Sequence, residues 1–302
     1  MFTGQLHGKV ERKLRESSDV GQLLVRLFLG LLFAVFGLLN YFTNVSENPV
    51  TGEKQRISLS PEQEIILGQQ GKQEVLAEYG GLYRSPVLQR YVDQVGQAVV
   101  EQSIAAQTPY PFEFHVLDDP ATVNAFALPG GQIFITTGLL AQLDSEAQLA
   151  GVLGHEVAHV VARHGSEHLA RQQLGAALVN AIGVAASEDA RSAQQAAMIA
   201  QAVNQIVNLR YGREDELESD RLGFEFMTEA DYNPVGIVEL MAILTESQSR
   251  GRPPEFFSTH PNPDNRIERL EALIDETYPS GIPATLEEGE QSYARIAQPQ
   301  LR

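Results

Sequence analysis

The 302-residue chain contains no cysteine. Thiolate metal sites, disulfides and a lipid anchor on an N-terminal cysteine are therefore excluded, and any zinc must be held by imidazoles and carboxylates. The lack of cysteine is compatible with an oxidising compartment. Basic residues are also few, 22 Lys and Arg against 39 Asp and Glu, for a net charge of −17. Nucleic acid is excluded as a partner, because phosphate binding needs clustered cations. Acidic balance otherwise speaks mostly of solubility. The apolar fraction of 43% is ordinary for a globular protein and sufficient for a sizeable core. No internal repeat is visible.

One long hydrophobic run is present. Residues 23–42 read LLVRLFLGLLFAVFGLLNYF, with no polar side chain between Leu27 and Leu39. The run just meets the about 20 residues that a spanning helix needs. Arg26 can snorkel to one interface, and Tyr41 and Phe42 suit the other. Lys9, Arg12, Lys13 and Arg15 precede it. The positive-inside rule then keeps residues 1–21 cytoplasmic and sends the rest across, which predicts a single-pass anchor over 22–43. A cleaved signal peptide is the rival, but no good cleavage site follows. A mitochondrial targeting or anchoring region is a further alternative.

Residues 44–59, with Asn48-Pro49 and Thr51-Gly52, read as a linker. Ser60-Pro61-Glu62-Gln63 opens a helix with an N-cap, proline at the first position and a capping-box glutamine. A second amphipathic helix runs from Val87 to about Gln102. Phe112–Leu117 and Gly131–Thr136 read as strands, with Pro129-Gly130-Gly131 turning into the second. Helices are expected from Ser145 to His164, over Glu214–Ala230, Pro234–Ser247 and Asn262–Glu276. The Ala- and Gln-rich residues 166–209 read as an antiparallel helical pair; a mobile flap over the site or a membrane-leaning hairpin is the alternative. The fold class is thus mostly α with a small β-sheet, α+β. One domain is expected over 60–277, with residues 278–302 as a flexible tail.

His155-Glu156-Val157-Ala158-His159 spells HExxH inside a helix. Residues four apart share a helix face, so His155 and His159 can hold one Zn²⁺ from the same side. Glu156 can then take the proton of a water activated there. A catalytic zinc wants a third protein ligand. His164 lies about 180° round an ideal helix from His155 and is wrongly placed. The HExxHxxGxxH pattern also fails, at Ala162 and Gly165. The candidate is the acidic stretch Arg213–Asp220. Its Glu216 and Asp220 share a helix face, so that one can bind zinc while the other orients a ligand histidine. Glu214 and Glu218 point roughly the opposite way from Glu216. Taken alone, such a stretch is more often a solvated face. His115, His164 and His168 read as structural, and Arg213 as a partner for Glu216 or a neighbour.

Four segments, in order, resemble the HtpX/BepA-type zinc metallopeptidases, the gluzincin family that includes the CAAX prenyl endopeptidases. They are Asn124–Gly131 with Gly138-Leu139-Leu140; His155–His159 with Arg163-His164-Gly165; Arg213-x-x-Glu216-x-x-Ser219-Asp220; and Thr259-His260-Pro261 with Arg266-Ile267. Gly212 and Ser219 depart from the usual Ser and Ala, and neither is a ligand. With one anchor, the chain is similar to the envelope-facing branch. The resemblance implies Glu216 as third zinc ligand and Asp220 as its supporting partner. It implies that the strand of Gly131, Ile133 and Ile135 is an edge strand that aligns the polypeptide substrate. Arg266, then His260, become candidates to stabilise the oxyanion; His260 alternatively occupies the open zinc position and keeps the enzyme latent, or merely anchors its loop. The function implied is a membrane-anchored zinc endopeptidase, at the inner membrane with its domain on the periplasmic side, acting on misfolded or unassembled envelope proteins. The alternatives are a dedicated processing protease and a zinc-bearing chaperone or adaptor with weak proteolysis.

Overall fold

The computed structural model describes Gly21 and residues 24–25, 27–174, 210–249, 254–261 and 265–301. The expected cytoplasmic segment and the helical pair beyond residue 174 lie outside them. The chain divides into two compact units. One takes in Met1–Glu47, Lys54–Ser58 and Glu167–Gln194; the other takes in Asn48–Glu53, Leu59–Ser166 and Gln195–Arg302.

In the first unit, residues 27–43 are helical. Among the described residues no helix is long and apolar enough to cross a membrane. Arg26 falls outside the description, so the expected anchor over 22–43 is described only in part. The stretch expected as a linker over 44–59 is instead ordered into strands: β1 (Val45–Glu47) pairs antiparallel with β2 (Lys54–Arg56). The Arg56 guanidinium lies 5.6 Å from the ring centroids of both Tyr41 and Phe42.

The second unit begins with the turn that joins those strands. Asn48 is buried and fixes the turn from both ends of its amide. Its Oδ1 accepts from Val50 N at 2.9 Å, and its Nδ2 donates to Val161 O at 2.9 Å. Helix α1 (Pro61–Glu78) carries the expected capping box: Ser60 N donates to Gln63 Oε1 at 2.8 Å, and Gln63 N to Ser60 Oγ at 3.3 Å. Helix α2 (Pro86–Glu101) is amphipathic and starts from Ser85.

Three strands follow: β3 (Glu113–Leu117), β4 (Ala125–Leu128) and β5 (Gln132–Thr136), in the order β3-β5-β4. The strand expected at the edge is therefore the central one. β5 pairs parallel with β3 and antiparallel with β4, so both of its hydrogen-bonding sides are taken, and Ile133 and Ile135 are fully buried. The edge next to the catalytic helix belongs to β4, which reads Ala-Phe-Ala-Leu and is buried throughout. It has no polar alternation to announce a strand. The β4–β5 turn needs its glycines. Gly130 has φ 83° and Gly131 φ 98°, and a Cβ on Gly130 would lie 2.5 Å from Glu64 O.

The HExxH helix α3 (Glu146–Val161) is the centre of the core, buried at every residue from Ala147 to Val161. Ser145 caps it by accepting from Gln148 N at 3.1 Å. Against it lie α4 (Arg213–Glu229) and α5 (Val235–Ser249). The crossing with α4 is made by glycines. A Cβ on Gly223 would meet His155 N at 2.9 Å, and one on Gly154 would meet Gly223 O at 3.0 Å. Backbone meets backbone there, which brings the α4 carboxylates to the α3 imidazoles. The short helix α6 (Phe256–Thr259) and helix α7 (Arg266–Thr277) complete the surroundings of the site.

The segment from Tyr278, expected as a flexible tail, is part of the fold. It forms helix α8 (Glu290–Ile296), whose Tyr293 is fully buried and donates to Leu140 O at 2.6 Å. Ala147 N donates to Glu288 O at 3.0 Å, so the tail also ties down the start of α3. Scattered Pro, Gly and Gln masked one short apolar face made by Tyr293 and Ala297, four residues apart. Replacing Tyr293 by alanine is expected to cost about 3–5 kcal/mol of stability, as for other large buried aromatics. Denaturant unfolding checks this, and a flexible tail would show no change.

Candidate metal centre

His155 and His159 are four apart on α3 and direct their rings to the same side, toward α4. The ring nitrogens His155 Nε2 and His159 Nε2 stand 3.1 Å apart. From α4, Glu216 presents Oε2 at 3.6 Å from His155 Nε2 and Oε1 at 3.5 Å from His159 Nε2. His260, just after α6, brings Nδ1 to 3.0 Å from Glu216 Oε1 and 3.3 Å from His155 Nε2. One donor atom from each of these four residues lies within 4.8 Å of all the others, and all four residues are buried.

This donor set fits a zinc ion. Nitrogen and carboxylate oxygen are the donors zinc takes in the absence of cysteine. Two Nε2 atoms facing each other share at most one proton, so the imidazoles cannot satisfy one another fully. Both carboxylate oxygens of Glu156 and His260 Nε2 are also buried without a hydrogen-bond partner. A buried cluster with that many unmet polar atoms fits a bound cation.

The carboxylates are held from behind by one cation. Arg266, 1% exposed at the start of α7, donates from Nε to Asp220 Oδ2 at 2.7 Å and from Nη2 to Asp220 Oδ1 at 2.6 Å. Its Nη1 donates to Glu216 Oε2 at 2.7 Å. Arg266 thus bonds two carboxylates through all three of its nitrogens, so the oxyanion role expected of it gives way to carboxylate binding. Its place is to position Glu216 and Asp220. Asp220 in turn puts Oδ1 3.1 Å from His155 Nδ1, at hydrogen-bond distance although the ring N–H is not aimed squarely at it. A carboxylate at that place is of the kind that can orient a ligand histidine.

The charges follow this geometry. Burial alone would raise the Glu216 carboxyl, but the His260 and Arg266 charges hold it well below the usual range. Burial likewise works against an ionised Asp220, and Arg266 outweighs it. Burial drives His159 well below the ordinary histidine value, which keeps its ring neutral and able to ligate. For His260 burial lowers the pKa, yet Glu216 and Glu156 together raise it. Glu156 is raised by burial, with His260 and His155 opposing.

Of the other expected residues, Gly131, Ile133 and Ile135 are not in the site, because their strand is interior to the sheet. Arg213 is exposed and reaches Asn265 Oδ1 at 3.5 Å rather than Glu216. His115 is structural, with Nε2 2.9 Å from Gln132 Oε1. Two aromatic residues were not foreseen. Tyr211 stacks on His159 with ring centroids 3.9 Å apart, and Phe256 stacks on His260 at 4.4 Å. Tyr211 N also donates to Thr259 O at 2.9 Å, joining its loop to the His260 segment. Neither Tyr211, in a loop, nor Phe256, in a one-turn helix, belongs to a periodic pattern, so nothing in the sequence marked them. His164, expected to be structural, touches His159 as well, at 3.0 Å between the Nδ1 atoms.

Residues 86–274 match the profile of peptidase family M48. Among curated proteins, the chain is 32% identical over 241 residues to the mitochondrial metalloendopeptidase OMA1 of Schizosaccharomyces pombe, covering 78% of this chain and 68% of that one. It is 31% identical over 227 residues to the beta-barrel assembly-enhancing protease of Yersinia pestis, covering 72% and 45%. It is 31% identical over 270 residues to the mitochondrial metalloendopeptidase OMA1 of Bos taurus, covering 83% and 50%. The matched region thus spans about half the length of the latter two relatives.

Arg266→Met is expected to remove about 3–5 kcal/mol of stability, because it leaves two carboxylates buried without their cation. Denaturant unfolding of the full chain measures this. A loss under 1 kcal/mol would mean that Arg266 does not hold the site.

Proposed function

The chain belongs to peptidase family M48 and is a metallopeptidase, and we propose that it is a membrane-anchored, zinc-dependent endopeptidase acting on misfolded or unassembled envelope proteins. The observation that carries the chemistry is the buried convergence of His155, His159 and Glu216 with Glu156 beside them. Those three residues would hold the zinc, which when bound supplies Lewis-acid polarisation of the scissile carbonyl and an acidified water. Asp220 and Arg266 position the ligands. Glu156 takes the proton of the attacking water and returns it to the leaving amine. Its carboxylate makes no hydrogen bond within the protein, which leaves both oxygens available for that exchange.

Strand β4 is the favoured guide for the substrate. Thr136 N donates to Asn124 O, so alternation along the antiparallel pair turns the N–H and C=O of Ala125 and Ala127 away from β5. Ala127 lines a small cleft with His159. An extended peptide adding to this edge would run past the metal site, held by main-chain hydrogen bonds.

His260 supports a second reading, that the site in this conformation is latent. Three protein ligands leave a position for water, whereas four close a zinc site. With Nδ1 among the converging donors, His260 stands where the fourth ligand would be. Opening requires His260 to withdraw.

Casein cleavage by the full chain with added zinc tests both readings. Glu156→Gln is expected to lower the rate 10²–10⁴-fold with zinc still bound, as for loss of a general base. His260→Ala is expected to raise the rate if His260 is a latch. Cleavage undiminished in Glu156→Gln would sink the endopeptidase reading, and a slower His260→Ala would make His260 a contributor to catalysis instead.

The anchor and its location are likewise proposals. In the helical residues 27–43, large apolar side chains such as Leu27, Phe28, Leu31, Leu32, Phe36 and Leu39 are all exposed. A helix apolar all round is unsuited to water. With Lys9, Arg12, Lys13 and Arg15 before it, the favoured placement is the inner membrane, N-terminus cytoplasmic and catalytic domain periplasmic. The mitochondrial inner membrane is the alternative, given the names of two relatives. The full chain is expected to stay in the membrane pellet through alkaline carbonate washing; recovery in the supernatant would refute the anchor.

A further inference from the structure

His164 was set aside because a continuous helix carries it to the face opposite His155. The helix is not continuous. It ends at Val161, and Arg163 adopts φ 59°, a left-handed conformation uncommon for a residue with a side chain. Such a conformation persists where its surroundings enforce it. Here Arg163 is pinned by buried Glu64, at 3.1 and 3.2 Å from Nε to the two carboxylate oxygens, and by Leu59 O, 2.8 Å from Nη2. Tyr110 OH donates to the same carboxylate. The reversal at Arg163 turns His164 back onto the end of the helix it has just left.

The result is a chain of three side chains. His159 Nδ1 lies 3.0 Å from His164 Nδ1, and His164 Nε2 lies 3.0 Å from Glu218 Oε2. Ser219 Oγ makes a longer contact, 3.3 Å, with His164 Nδ1. With both rings neutral and Glu218 ionised, the protons have one consistent arrangement. An ionised Glu218 accepts only, so His164 carries its proton on Nε2. His164 Nδ1 is then an acceptor, and His159 must donate to it from Nδ1. That leaves the lone pair of His159 on Nε2, the atom that faces Glu216 and His155.

We propose that His164, held by Glu218, is a positioning residue for His159, fixing the tautomer and ring orientation that present Nε2 to the metal. It does for His159 what Asp220 does for His155. Nothing in the expected roles of the acidic stretch assigned Glu218; it points away from Glu216 along α4 and meets the second histidine instead. The inference rests on the metallopeptidase reading, and it concerns how the ligand is aimed rather than which residues ligate.

The test is zinc affinity of the full chain by competition with a chromophoric chelator, which reads binding without turnover. His164→Phe keeps an aromatic ring against His159 but removes the acceptor, and is expected to weaken zinc binding 10–100-fold. His164→Asn loses the ring but keeps an amide oxygen near the Nδ1 position, and is expected to recover most of that loss. A packing role predicts the reverse order, with Phe tolerated and Asn not, and that order would overturn the proposal. Glu218→Leu, at a partly exposed position, leaves the His164 ring in place and is expected to weaken zinc in the same direction. Parent-like affinity in that variant would also overturn it. A parent protein that binds no zinc would instead refute the metallopeptidase reading itself.

Discussion

Glu216 and Asp220 lie out of water beside three imidazoles, and the guanidinium of Arg266 bonds both, with His260 also holding Glu216 ionised. A buried charge is tolerated only when paired and hydrogen-bonded. Arg266 meets that condition with a fork of three contacts of 2.6–2.7 Å. Two carboxylates kept ionised can then do different work: Glu216 faces the donor cluster, and Asp220 faces the back of His155. The arrangement of the donor cluster depends on that compensation.

The second requirement is proximity. Glu216 reaches the imidazoles only because α3 and α4 touch backbone to backbone, and a methyl group on Gly223 would strike His155 N. The sheet contributes from the opposite side, where β4 rather than β5 is the edge strand among the described residues. Even the last helix takes part, since the chain just before it accepts a bond from the first turn of α3. The catalytic helix is therefore fixed along its whole length, by the C-terminal segment at one end and by Asn48 and the Arg163 reversal at the other.

The same closeness that makes the site able to bind a metal also brings a fourth donor, His260, in among His155, His159 and Glu216. His260 follows a one-turn helix and stacks on Phe256, and Tyr211 is joined by a main-chain bond to the residue before it. That small aromatic cluster fixes where His260 stands.

Much of this was legible in the chain before any coordinates. HExxH spacing placed His155, Glu156 and His159 on one helix face by periodicity alone, and the Ser60 capping box and the Glu214–Ala230 helix followed from local rules. Glu216 and Asp220 were marked by their shared face and by resemblance. What local rules could not reach were contacts between distant segments. The pairing of β5 on both sides depends on which strand the buried Ala-Phe-Ala-Leu run joins. The carboxylate-binding role of Arg266 depends on α7 meeting α4. The order in the C-terminal segment depends on a pocket for Tyr293 that other elements build. The turn of His164 onto His159 depends on Glu64, a hundred positions away, holding Arg163 in a left-handed conformation. Periodicity and capping act within a few residues and are written in the sequence. Burial, charge compensation and enforced strain exist only once remote segments share the same dry volume, so the tertiary structure alone decided them.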